Sequence, residues 1–275
     1  MNLGDLLRGD APLVIDIPHA GTHLPAGLAE RLTPAARALP DTDWHVEKLF
    51  AFAREASVTM LVATHSRYVV DLNRDPSGVA LYPGADNTEL CPARTFANEP
   101  LYADARAPDA NEVAVRRAEY FDPYHQALAA ELERKRAEFG CVVLYDAHSI
   151  RSRMPRLFEG ELPQFNIGTN NGATCSPSLT DTIEKLCDRA GPSRVTNGRF
   201  RGGWITRHYG KPGAGIHAVQ MELSMRGYLQ EPDGGLNKNN WPAPLDDIRA
   251  ARLRVALRDV LDACIAFARP TRSTS

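Results

Sequence analysis

Several apolar runs in this chain stop at residues that can do chemistry. "VIDIPHAG" ends at His19, "CVVLYDAHS" at Asp146 and His148, and "VQMELS" at Glu222; "PDTDWH" adds Asp41, Asp43 and His45. Each histidine alone suits an ordinary hydrogen-bonded loop position. Together they offer two imidazoles and a carboxylate, the ligand set of a catalytic zinc with a fourth position left for water. A further carboxylate nearby would serve as general base. No H-E-x-x-H occurs, so such a site has to be assembled from distant segments.

Basic residues form a second group. "SRYVVDLNRDP" carries Arg67, Asn73 and Arg74, and arginine makes planar, two-pronged pairs with carboxylates. The plain alternative pairs Arg67 and Arg74 with Asp71 and Asp75. In "FNIGTNNGATCSP", Gly168, Asn170, Asn171 and Gly172 permit positive φ and expose backbone N–H groups, as a substrate-binding loop would. "FRGGWITRHYGKP" sets Arg201, Arg207 and His208 around a Gly-Gly turn and reads as an anion-binding loop or lid.

Positioning these groups falls to alternating strands and helices. Strands are expected at 12–21, 58–65, 67–72, 141–148 and 215–224, and helices at 41–56 (capped by Asp41), 111–139 (broken near Pro123), 178–190 and 244–268. The stretches 74–100 and 150–177 read as loops. This pattern predicts a single α/β domain over 1–268, with helices on both faces of a mixed, mostly parallel sheet and a flexible tail at 269–275. Ligands of such sheets bind beyond the carboxyl ends of the strands, where the polar residues collect.

The bulk composition is that of a globular protein: 43% hydrophobic and 24% charged residues over 275, with a formal net charge of −2. It gives no sign of a nucleic-acid or anionic-membrane partner. No secretory leader or spanning segment is apparent, and five scattered cysteines without a C-x-x-C pair suit a reduced, cytoplasmic setting.

"VIDIPHAGTHLP", "PDTDWHVEKLF", "SRYVVDLNRDP", "LYDAHSI", "FNIGTNNGATCSP", "GGWITRHYGKP" and "VQMELSMRGYL", in that order between about residues 12 and 229, together resemble the N-formylglutamate deformylase (amidohydrolase) family. The resemblance implies hydrolysis of the small molecule N-formyl-L-glutamate to formate and L-glutamate, a step of histidine degradation. It also implies a fold similar to that of the zinc carboxypeptidases. In that frame Zn²⁺, or another divalent metal, would be held by His19, Asp43 and His148, with Asp41 in reserve. Glu222 would be the general base and Arg67 a stabiliser of the oxyanion. Asn73, Arg74 and Arg207 would take the two substrate carboxylates, beside the loop of Asn170. Asp146 would orient an imidazole. Gln164 departs from the acidic residue expected there, and a homo-oligomer is left open.

Competing readings are a deacylase of another N-acyl amino acid, a small zinc carboxypeptidase, a cysteine hydrolase pairing Cys175 with His208 or His148, and a non-enzymatic binder of acidic amino acids. Trp44 and Trp204 are candidates to line the site. His65, His125 and His217 read as structural.

Overall fold

A computed structural model describes residues 4–81, 87–103, 106–237 and 239–269. Part of the 74–100 stretch and the expected tail from 270 onward lie outside them. Seven strands form one sheet in the order β1-β3-β2-β4-β7-β5-β6. They are β1 (Gly4–Leu7), β2 (Leu13–Ile17), β3 (Thr59–Ala63), β4 (Val142–Ile150), β5 (Phe165–Gly168), β6 (Arg194–Thr196) and β7 (Ile216–Ser224). β2 pairs in parallel with β3 and β4, β4 with β7, and β5 with β6, while β1 and β5 run antiparallel to β3 and β7. The sheet is therefore mixed and mostly parallel, as expected.

The helices are α1 (Leu28–Arg31), α2 (Pro34–Arg37), α3 (Val46–Leu49), α4 (Ala110–Arg116), α5 (Asp122–Phe139), α6 (Pro177–Ala190), α7 (Trp204–Tyr209) and α8 (Asp247–Ala268). Period-two alternation sorts the central strands into two cores. Val143, Tyr145 and Ala147 of β4 pack with Val219 and Met221 of β7 against Leu257 and Val260 of α8. Val142 and Leu144 pack with Ala218 against Leu128 and Leu132 of α5. β4 is buried along its whole length, and burying each large apolar side chain contributes about 1.5–3 kcal/mol. On the α5 face the same alternation turns polar toward the strand ends: Asp146 and His148 follow Leu144, and Gln220 and Glu222 follow Ala218. No helix among the described residues is long and apolar enough to cross a membrane.

Several local expectations change. The helix expected over 41–56 is only α3 followed by a 3-10 stretch, Ala51–Ala56. His45 takes φ 64°, and the Asp43 N–H is held by the His19 carbonyl at 3.0 Å, so the chain is drawn toward β2 before it can wind. Residues 67–72 form a turn, not a strand. Arg67 and Asp71 meet at 2.6 Å, whereas four extended residues would hold them about 13 Å apart. The break near Pro123 is a π-helical stretch, Arg117–Phe121. β5 and α7 lie inside segments read as loops.

Candidate functional site

β4 and β7 set the centre of the site. Their parallel register places Asp146 beside Gln220 and His148 beside Glu222. His19 follows the end of β2, on the other side of β4. Asp43 arrives from the turn before α3, and its Oδ2 also accepts the Ser149 N–H at 3.1 Å. All four of His19, Asp43, His148 and Glu222 are buried.

The rear of each imidazole is fixed by a carboxylate. His19 Nε2 lies 2.8 Å from Asp71 Oδ1, and His148 Nε2 lies 2.7 Å from Asp146 Oδ1. With these carboxylates ionised, each Nε2 carries the hydrogen, and both Nδ1 atoms present lone pairs. Those Nδ1 atoms are 3.1 Å apart, and Asp43 Oδ2 lies 3.1 Å from that of His148 and 3.9 Å from that of His19. Three acceptors thus converge on one point. Ligand bonds near 2.0–2.2 Å give roughly 3.3 Å between the donors of a tetrahedral zinc site, so the set fits a divalent cation. Carboxylates behind ligating imidazoles fix both tautomer and ring orientation.

Without a cation, a proton serves instead. Burial opposes charge on His148, but Asp146 and Asp43 outweigh it and hold its pKa well above the usual value. His19 is pushed down to about 4 by burial and by the Arg67 guanidinium. Burial raises Glu222 to about 8; Asp43 adds to this and His148 opposes it. Burial also works against ionising Asp71, yet Arg67 and Arg74 keep its pKa well below the carboxylate range.

Around this cluster opens a cleft that, counted with the solvent space at its mouth, spans about 650 Å³. Its lining includes His19, Asp43, His148, Glu222, Arg67, Asn73 and Arg74. Arg67 lies under the Phe96 ring, 4.6 Å from its centroid. Arg74 donates through Nε and Nη2 to Thr88 Oγ1 and through Nη1 to the Asn73 carbonyl. The Asn73 amide is engaged within the wall: Nδ2, beside the His148 ring, donates to Asp146 Oδ2 at 3.5 Å, and Oδ1 accepts the Ile205 N–H. Arg207 and Asn170 are not in this lining. Arg207 bonds the carbonyls of Gly202 and Leu81. The loop of Asn170 does adopt positive φ, but the N–H groups of Thr169 and Asn171 are taken by Asn197 Oδ1.

The reserve ligand, Asp41, faces elsewhere. Its Oδ2 accepts from the Tyr68 hydroxyl at 2.8 Å and from Phe96 N–H at 2.9 Å. Cys175 is buried, and burial raises its thiol; neither it nor His208 lines the cavity, and His208 stacks on Trp204. Trp204 packs against Phe121 and His125, and Trp44 donates to the Leu39 carbonyl; neither lines the cavity. His125 bridges the Leu72 carbonyl and the Tyr209 hydroxyl.

Asp71, Thr206, Gln220 and Arg199 were not assigned from sequence. Thr206 donates to Asp146 Oδ2 at 2.9 Å, and Gln220 joins Gly203 N–H to Glu222. A polar residue two before Glu222 on a buried strand was the one signal for Gln220. Gly203 is wedged against Asn73: a Cβ there would come within 2.3 Å of its amide. Gly203→Ala is expected to displace Asn73 at a cost of about 1–3 kcal/mol, read as a lowered Tm. An unchanged Tm would show that Asn73 gives way freely.

Residues 11–229 match the family model described as N-formylglutamate amidohydrolase. A protein named N-formylglutamate deformylase from Pseudomonas aeruginosa is 46% identical over 263 residues, 95% of this chain and 96% of that one. One of the same name from Pseudomonas putida is 44% identical over 261 residues, 94% of each. The crystal structure of N-formylglutamate amidohydrolase from Ralstonia eutropha JMP134 superposes with a TM-score of 0.76 at 26% identity, covering 98% of this chain and 97% of that one.

Proposed function

Because the chain belongs to the N-formylglutamate amidohydrolase family, we propose that it hydrolyses N-formyl-L-glutamate to formate and L-glutamate with a divalent metal, zinc by preference, held by His19, Asp43 and His148. The observation that carries the metal is the convergence of two Nδ1 lone pairs with Asp43 Oδ2, each imidazole backed by its own carboxylate. When bound, zinc supplies Lewis acidity toward water and the formyl carbonyl.

The chain's own groups do the rest. Glu222 accepts the proton of the attacking water and passes it to the leaving amine, a role suited to a group whose pKa lies near working pH. A cation beside it favours the carboxylate form needed for the first transfer. Arg67, fixed by Asp71 and by Phe96, offers its charge to the oxygen that becomes negative on the formyl carbon. Arg74, held by Thr88 and the Asn73 carbonyl, receives the α-carboxylate. Asn73 closes the cavity wall beside His148, its Nδ2 donating to Asp146 Oδ2 at 3.5 Å.

The test is metal analysis together with formate release from N-formyl-L-glutamate before and after chelation. Chelated protein should be inactive and regain activity with zinc; fully active, metal-free protein would reject the metal. Because the raised His148 must lose its proton when a cation enters, zinc binding near neutral pH should release protons and weaken as pH falls. Calorimetry in buffers of different ionisation enthalpy reads that number directly, and zero released protons would contradict the cluster described here.

A further inference from the structure

We propose that Arg199 reads the side-chain carboxylate of the substrate and so selects glutamate over neutral N-formyl amino acids. The inference rests on the deformylase reading above.

Among the described residues, the cationic side chains lining the cavity are Arg67, Arg74 and Arg199. N-formylglutamate brings two carboxylates, and its reacting carbonyl develops a third negative centre. Arg67 belongs with the reacting carbonyl: it bonds Asp71, which backs His19, and comes within 3.9 Å of Asp43. Arg74 is also tied to this end, with Nη2 3.7 Å from Asp71 Oδ2 and Nη1 on the carbonyl of Asn73, whose amide touches His148. It therefore suits the α-carboxylate, which sits next to the scissile amide.

Arg199 enters from a different part of the fold, the segment between β6 and α7. Its Nε donates to the Leu157 carbonyl at 2.6 Å, and its guanidinium carbon lies 5.3 Å from the centroid of the Phe200 ring. These two contacts hold the guanidinium at the cavity wall. Leu157 and Phe200 themselves line the cavity and offer apolar contact for the two methylenes of a glutamyl side chain. A carboxylate at the end of those methylenes then meets an oriented two-pronged donor.

The experiment compares kcat and KM for N-formyl-L-glutamate and N-formyl-L-glutamine in wild type, Arg199→Gln and Arg199→Lys, each checked for Tm and metal content. Wild type should prefer the glutamate substrate strongly. Arg199→Gln should raise KM for N-formyl-L-glutamate by about 10–100-fold, with kcat changed far less, and leave the glutamine substrate nearly unaffected. The preference would then collapse. Arg199→Lys keeps the charge but loses the planar fork, so part of the preference should return; it also serves if the Gln variant folds poorly. Arg199→Gln that retains the wild-type preference, or loses both substrates equally, would overturn the proposal while leaving the deformylase reading intact. Wild type that does not release formate from N-formyl-L-glutamate would instead remove the reading on which the proposal rests.

Discussion

Glu222→Gln is expected to lower kcat for formate release by about 10²–10⁴-fold while leaving a folded, metal-binding protein. The amide is isosteric, and its oxygen can still accept from Gln220 Nε2, now 3.2 Å from Glu222 Oε2. The backbone of β7 keeps its pairing, with Asn166 Nδ2 on the Glu222 carbonyl. What disappears is, among the described residues, the one cavity-lining carboxylate that takes no part in the converging set. Steady-state kinetics with zinc content measured in parallel decides the matter; near-normal kcat would remove Glu222 as the base. A second reading comes from metal-free stability. Folded Glu222 ionises near about 8 against an ordinary 4.5, so wild-type stability should decline as pH rises from 4.5 toward 8. The Gln variant should lack that component of the decline.

The second large effect separates two aspartates two residues apart. Asp43→Asn should abolish tight zinc binding and turnover together. It removes the charged oxygen that meets the two Nδ1 atoms, a heavier loss than the roughly 10–100-fold that follows from removing a group behind a ligand. Asp41→Asn should keep zinc and most activity. Burial already raises Asp41, and an amide oxygen can still accept from Tyr68 or Phe96, so the cost is one of stability, about 1–2 kcal/mol. Titration with zinc and thermal unfolding of both variants check this. Zinc lost from Asp41→Asn and kept by Asp43→Asn would reverse the assignment.

The central strands were legible because they are buried and bounded by turn residues, and that placed His19, His148 and Glu222 at strand ends. The register that sets His148 beside Glu222 was not, since pairing between strands about seventy residues apart leaves no local mark. Asp71 shows the same limit. Its sequence neighbours suggested a partner for Arg67, but its bond to His19 exists only because 67–72 turns where β-branched residues suggested a strand. β5 was hidden by its four-residue length beside "GTNNG", and α7 by the glycines at both of its ends. The positive φ of the Asn170 loop was correctly expected, but Asn197, distant in sequence, occupies its donors. Arg199 carried no signal, because an arginine in a loop becomes meaningful only when Leu157 and Phe200 hold it against a cavity.

The acids behind the two histidines also set an electrical balance. Asp43, Asp71 and Asp146, with Glu222 in its carboxylate form, contribute four formal negative charges in a water-poor space, and Arg67 and Arg74, both close to Asp71, return two positive charges. The remaining deficit is two. A divalent ion brings the buried cluster to neutrality, a monovalent ion leaves it negative, and a trivalent ion overshoots. Discrimination by valence would then rest partly on residues that do not touch the ion, and exchanging Asp71 or Asp146 for a neutral residue is expected to weaken the hold on a divalent guest.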